Sequence, residues 1–253
     1  MYIVVPTYNR FEECFKMIKS AENSTLKPKG VIVIDNSTYY GFTAYMREHK
    51  LDTELPIALM NSPTNLGCSR AWNAGIEIVH REDPTEWCLV VNDDIEFHSD
   101  CIELFDTAIK ERGNTSVIFC AGGMDAPNAF SLFATQYNRL IDTSVGLFDP
   151  LFIYPYCEDG DMARRLMLLG YELDRVEGAS ANHIGSATLK AFDDTESMQH
   201  HARFKVNADY FQLKWNIDHN HIYSEEGYTV PFNGDETEKI MAESYVKACY
   251  GVR

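Results

Sequence analysis

Met1-Tyr-Ile-Val-Val-Pro-Thr-Tyr-Asn-Arg10 opens the chain, and its reading decides the fold. Tyr2–Val5 is short, apolar and β-branched, then gives way to Pro6 and a group of polar residues. That is the profile of a core strand ending at the rim of a sheet. No basic residue precedes it and Pro6 interrupts it early, so it does not read as a signal peptide. Four further runs share its character: Val31–Ile34, Ile57–Met60, Trp87–Val91 and Val117–Cys120. Between them, 11–22, 40–50, 68–81 and 99–112 read as helices. Strand–helix alternation of this kind builds βαβ units, so the expected class is α/β, a mainly parallel sheet flanked by helices.

Open sheets of this type bind ligands beyond the carboxyl ends of their strands. The residues at those ends form a set: Pro6-Thr-Tyr-Asn-Arg10, Asp35-Asn-Ser37, Asn61 through Asn65-Leu-Gly67, and Asn92-Asp-Asp94. Four successive strand ends carrying small, polar or acidic groups exceed what a random surface supplies. The second half is less regular. Residues 125–157 are aromatic and loop-rich, and Glu158–Leu169 starts with acids and continues as a helix. From about 195 two more helices follow, with a connection spanning Gly227–Gly234. The expected division is a domain over 1–194 with a C-terminal helical appendage, 195–253, packed on it.

The 253 residues suit that size. No stretch approaches the roughly 20 apolar residues that span a bilayer. The seven cysteines, at 14, 68, 88, 101, 120, 157 and 249, are scattered and contain no CxxC pair. They read as reduced thiols in a cytoplasmic protein, any membrane contact being peripheral. Asn23, Asn36 and Asn114 head N-x-S/T triplets that carry no weight without a secretory signal. The net charge of −16 disfavours tight phosphate-backbone binding. It favours a small ligand whose phosphates are held through a metal ion.

Three constellations bear chemistry. Adjacent carboxylates at a strand end, Asp93-Asp94, repel each other unless a cation sits beside them; a solvated turn is the plain alternative. Glu158-Asp159-Gly160-Asp161 begins a helix, where acids cap free amides and favour the macrodipole, but a positioned carboxylate can also deprotonate an acceptor hydroxyl. His183, in Asn182-His-Ile-Gly-Ser186, is either a metal ligand or a solvated loop histidine. Asp35 can accept from a nucleobase or start a turn. The helix opening at Asn65-Leu-Gly67, with Arg70 and Asn73, can face phosphate or merely turn the chain. His200-His201 and His219-x-His221 lack a partner motif and read as surface residues.

Together these stretches resemble the inverting family 2 glycosyltransferases of GT-A fold. The matching pieces run in that family's order from residue 2 to about 186: Val4-Val-Pro-Thr-Tyr-Asn-Arg10, Val33-Ile-Asp-Asn-Ser37, Asn65-Leu-Gly-Cys-Ser-Arg-Ala-Trp-Asn-Ala-Gly75, Val90-Val-Asn-Asp-Asp-Ile-Glu96, Glu158-Asp-Gly-Asp-Met-Ala-Arg-Arg-Leu166 and His183-Ile-Gly-Ser186. The tail element Asn207…Tyr210-Phe…Lys214-Trp215 is similar to the closing segment of some members. The resemblance implies a nucleotide-diphosphate-sugar donor, UDP-linked, and a divalent cofactor, Mn²⁺ or Mg²⁺. It implies Pro6, Tyr8 and Asp35 at the nucleoside, with Asp35 reading the base, and Asn65, Arg70, Asn73, Asn92 and Asp93 around the donor. Asp94 and His183 would be metal ligands and Asp159 the catalytic base, with Glu158 and Asp161 supporting it or binding acceptor. One departure stands out: Asn92 replaces the first acid of the family's Asp-x-Asp, lowering the local charge by one.

The implied acceptor is a hydroxyl on a glycan or lipid-linked sugar. A hydroxylated base in viral DNA is the less usual option, and the −16 charge weighs against it. Two other classes compete, a non-catalytic nucleotide-sugar-binding module and a sugar-phosphate nucleotidyltransferase. Asp159, Asp94 and His183 together speak against the first. The second usually opens with a Gly-rich loop, where this chain has Pro-Thr-Tyr-Asn-Arg.

Overall fold

The computed structural model describes residues 1–37, 41–122, 128–183, 194–218 and 230–251. The alternating half forms as the sequence implies: β1 (Tyr2–Thr7), α1 (Phe11–Glu22), β2 (Val31–Asp35), α2 (Phe42–Glu48), β3 (Ile57–Asn61), α3 (Gly67–Glu82), β4 (Cys88–Val91), then β5 (Ile95–Phe97), α4 (Cys101–Arg112) and β6 (Ile118–Ala121). There follow β7 (Leu132–Thr135), α5 (Tyr137–Asp142), α6 (Glu158–Leu168), β8 (Asp174–Val176) and β9 (Ala181–His183). Two tail helices, α7 (Asp194–Trp215) and α8 (Glu236–Tyr250), complete the chain.

Seven strands form one sheet in the order β3-β2-β1-β4-β7-β6-β8. Only β7 runs against the others, pairing antiparallel with both β4 and β6. This makes the fold an α/β domain with a mainly parallel sheet. Within the segment read as loop-rich, β7 is thus a central strand; its four residues, Leu-Phe-Ala-Thr, are all buried. A strand that short, wedged between two neighbours, shows no alternation to read.

Burial on both faces explains the continuous apolar runs. Ile3 and Val5 of β1, with Val31 and Val33 of β2, pack under α1, α2 and α4. Val4, Ile32 and Ile34 point the other way, toward Trp72, Ile76 and Val79 of α3, with Met162 and Leu166 of α6 in the same cluster. The approach of α3 to β1 is close enough that a Cβ on Gly75 would lie 2.1 Å from Val4 Cγ1. A third apolar cluster joins Phe152, Ile153 and Cys157 to Tyr210, Phe211 and Trp215 of α7 and Ala242 and Val246 of α8. Residues 227–229 of the expected 227–234 connection lie outside the described residues, which resume at Val230 and form a 3₁₀ turn over Pro231–Gly234. Among the described residues no helix is long and apolar enough to cross a membrane.

Candidate functional site

Parallel register sets Thr7, Asp35 and Asn61 side by side at the carboxyl ends of β1, β2 and β3. Pro6 lies within β1 opposite Ile34, and Tyr8 follows half-buried. Asp35 is buried, with Oδ1 accepting from Ser37 N at 2.9 Å and Oδ2 from Phe42 N at 2.7 Å. It therefore ties the loop after β2 to the start of α2, a structural duty in addition to the base contact expected of it.

At the start of α3 the asparagines serve the backbone. Asn65 Oδ1 accepts from Gly67 N at 2.8 Å. Gly67 has φ +73°, and a Cβ there would sit 1.5 Å from the Ile153 carbonyl oxygen, so only glycine fits. Arg70 Nε donates to Pro150 O at 2.8 Å. Asn73 spans the backbone of Phe148, donating to its carbonyl at 2.7 Å and accepting from its N–H at 3.0 Å. Asn73 thus fastens α3 to Phe148, while Asn65 holds the turn at Gly67 at the start of α3 itself. A buried peptide group with no strand or helix partner requires such a side chain.

Beyond β4, Asn92 N donates to Ser131 O at 2.9 Å. Asp93 Oδ2 accepts from Thr7 Oγ1 at 2.8 Å. Burial, reinforced by the neighbouring Asp94, lifts the Asp93 carboxyl to about 7, against the stabilising Thr7 bond and the Arg10 charge. Asp94 is buried, and the next residue, Ile95, pairs with His183 across the small β5–β9 sheet. That pairing brings His183 Nε2 to 3.1 Å from Asp94 Oδ1. The distance suits a hydrogen bond but the direction does not, and Nε2 is buried without a hydrogen-bond partner. A carboxylate beside an unsatisfied imidazole nitrogen is a donor pair suited to a divalent cation. Among the described residues no third such group joins them. Residues 184–186 of the His-Ile-Gly-Ser motif lie outside the described residues.

The acidic cluster opens α6 as expected. Glu158 is buried and its Oε2 lacks a partner. Burial, then the adjacent Asp159, pushes its carboxyl well above the usual range, only partly offset by hydrogen bonds from its own N–H and from the Cys68 thiol. Asp159 is at the edge of burial, with 9% exposure, and Oδ1 accepts from Gly160 N at 2.7 Å. Asp161 differs: it is fully buried, accepting from Arg165 Nε at 2.9 Å and Trp215 Nε1 at 3.0 Å. Both Asp161 oxygens are engaged inside the protein, one by Arg165 and one by Trp215.

Two thiols register how these carboxylates converge. Cys14 is raised by burial and then by Asp93 and Asp35. Cys68 is raised by burial and then by Glu158, Asp159 and Asp93. The strand-end acids and the start of α6 therefore share one electrostatic neighbourhood. Thr7 and Cys68 escape a sequence reading of the site, because neither a hydroxyl nor a thiol announces such contacts. Of the remaining histidines, His201 is exposed and His200 is half-buried with its ring edge-on to Tyr156 at 5.9 Å. His219 and His221 lie outside the described residues.

Solved structures share this architecture. S. aureus TarS 1-349, crystallised in complex with UDP-GlcNAc, is 16% identical with a TM-score of 0.54, over 87% of this chain and 68% of that one. The mannosyltransferase PcManGT from Pyrobaculum calidifontis, in complex with GDP-Man and Mn²⁺, is 13% identical with a TM-score of 0.55, over 99% and 73%. At such identities the likeness speaks for the fold. No curated protein sequence matches the chain. The Glycosyl transferase family 2 model matches residues 2–153, more than half of the chain and the part that holds β1 through β4 and α3. The chain belongs to glycosyl transferase family 2.

Proposed function

We propose that the protein is a metal-dependent inverting glycosyltransferase that moves a hexose or pentose from a nucleotide-diphosphate sugar, UDP-linked, to a hydroxyl acceptor on a glycan or lipid-linked sugar. The observation that carries this reading is the pairing of Asp94 with the unsatisfied His183 Nε2 just beyond β4. The complexes of TarS with UDP-GlcNAc and of PcManGT with GDP-Man and Mn²⁺ support the donor class and the cofactor, Mn²⁺ or Mg²⁺.

In this reading Pro6, Tyr8 and Asp35 border the nucleoside, and Arg70, Asn92 and Asp93 lie along the diphosphate. Asp94 and His183 would hold the cation, which when bound offsets the charge of the departing nucleoside diphosphate. Asp159 accepts the proton of the acceptor hydroxyl as its oxygen attacks the anomeric carbon. Glu158, whose carboxyl burial and the adjacent Asp159 push well above the usual range, supports Asp159 beside it. One displacement with one base inverts the anomeric centre. Residues 195–253 act as an appendage packed on the 1–194 domain. The setting is cytoplasmic, with membrane contact peripheral.

The test is a panel of UDP-, GDP- and dTDP-sugars with glycan acceptors, with Mn²⁺, Mg²⁺ or EDTA, scored by release of nucleoside diphosphate and by the anomeric configuration of the product. Metal-dependent release with inversion is expected. Release of pyrophosphate from a sugar phosphate and a nucleotide triphosphate instead would overturn it, as would binding without turnover across the panel.

A further inference from the structure

Helix α7 carries one lysine into the protein. Lys214 is 6% exposed, and its Nζ lies 2.7 Å from Asp149 Oδ2 and 2.6 Å from Asp161 Oδ1. Trp215 Nε1 donates to the same Asp161 oxygen, and Tyr210 donates through its hydroxyl to the same Asp149 oxygen at 2.9 Å. Two turns earlier, Asn207 Nδ2 donates to the carbonyls of Tyr154 and Tyr156, the second at 2.9 Å, and Tyr250 of α8 fixes the Asn207 amide at 3.0 Å. All of these partners fall on segment 149–161, which carries Glu158 and Asp159. At its start Arg70 of α3 donates to Pro150 O, and Asn73 binds the backbone of Phe148 immediately before it.

Docking the tail does not itself require buried charge. Phe152, Ile153, Phe211, Trp215 and Phe232 already form an apolar cluster there, and a buried ion pair adds little net stability over an apolar replacement. What the charges add is direction. A lysine between two carboxylates fixes where each can lie, and one of them is two residues beyond Asp159 in the first turn of α6. Although burial opposes it, Lys214 holds the Asp149 carboxyl below its ordinary range, so the ammonium faces a charged partner.

We infer that Lys214 is a positioning residue for the proposed base: by bridging Asp149 and Asp161 it sets the first turn of α6, and so Asp159, against the acceptor. The inference rests on the reading of Asp159 as the base. Small displacements of a reacting group, about 1 Å, can lower turnover by about 10²-fold.

The experiment uses the full chain with the most active donor of the panel and measures kcat, donor KM and UDP affinity by calorimetry. Lys214→Met should lower kcat by about 10–10²-fold with UDP affinity within about 2-fold. Lys214→Arg should recover most of the loss, and Lys205→Met, which removes an exposed pair with Asp209 on the same helix, should leave kcat unchanged. The deciding comparison is the double variant: if Lys214 acts through Asp159, Lys214→Met with Asp159→Asn is no slower than Asp159→Asn alone. Losses that multiply, an unchanged kcat in Lys214→Met, or UDP affinity falling in step with kcat would overturn the inference. Should Lys214→Met fail to fold by circular dichroism, Asp149→Asn, which keeps shape and removes one charge, must show the same split and the same non-additivity. Normal transfer by Asp159→Asn would instead remove the base assignment, and the inference with it.

Discussion

Replacing Asn73 with alanine separates a wall-building role from a ligand-binding one. Its amide makes two bonds to the backbone of Phe148, at 2.7 and 3.0 Å. Phe148 is fully buried and its ring packs on Trp72 at 4.9 Å and Phe133 at 5.6 Å, so its peptide groups have only limited access to water. Each buried group left without a partner costs about 1–3 kcal/mol. Two such groups, partly rescued because the bond region is only part-buried, give about 3 kcal/mol. For a chain of this length 1 kcal/mol moves Tm by about 2–4 °C, so Asn73→Ala should melt about 6–12 °C below wild type. Asn73→Asp should be at least as damaging, since it turns an acceptor toward the Phe148 carbonyl. Thermal unfolding by circular dichroism gives the shift, and calorimetry with UDP gives donor affinity at a temperature where both proteins are folded. A Tm within about 1 °C of wild type, together with a large loss of UDP affinity, would refute this reasoning and return Asn73 to the donor.

Other expectations follow from single contacts. Gly67→Ala should abolish soluble expression or collapse Tm, because its Cβ would lie 1.5 Å from the Ile153 carbonyl oxygen; a well-folded, fully active variant would show the close approach to be wrong. EDTA should abolish turnover and added Mn²⁺ or Mg²⁺ restore it, with Asp94→Ala and His183→Ala each losing the metal response; full activity in EDTA removes the metal assignment. Asp35→Ala should lower both Tm and UDP affinity, since the carboxylate serves two backbone amides as well as the proposed base contact; loss of Tm alone would leave only the structural duty. Glu22 is held down to about 2 by Lys19, Thr53 and the Glu54 amide, from an ordinary value of 4.5. A carboxyl depressed in the fold stabilises it above the unfolded value and loses that contribution as pH falls through the folded one. The Tm gap between wild type and Glu22→Gln should therefore be full near pH 7 and close between about pH 4.5 and 2; a constant gap would contradict the ion-pair origin.

The parallel half was legible because strands buried on both faces must be apolar throughout, and because β-branched runs alternate with amphipathic helices. Tyr2–Val5 and Val31–Ile34 extended by only one or two residues in the structure. The strands β5, β7, β8 and β9 were not legible, since each is only three or four residues long and its identity comes from neighbours distant in sequence. The Asp94–His183 contact depends on two of them, so both residues were named as ligands but their pairing was not visible. Asp35, Asn65 and Asn73 illustrate the opposite case. Asp and Asn at strand ends fulfil the same geometry whether they bind a ligand or a backbone amide, and sequence cannot separate the two. In the sequence Lys214 stands out only as part of a tail element, because its partners, Asp149 and Asp161, lie 65 and 53 residues earlier.

The central claim is that Asp159 is the base of a sugar transfer, and Asp159→Asn tests it most directly. Asparagine keeps the size and still accepts from Gly160 N, the bond seen at 2.7 Å, while losing the power to take a proton. Single-turnover transfer should fall by about 10²–10⁴-fold, the usual contribution of a general base, with UDP affinity nearly unchanged. Near-normal transfer by Asp159→Asn would contradict the account and leave that carboxylate as a first-turn acid that binds the Gly160 amide.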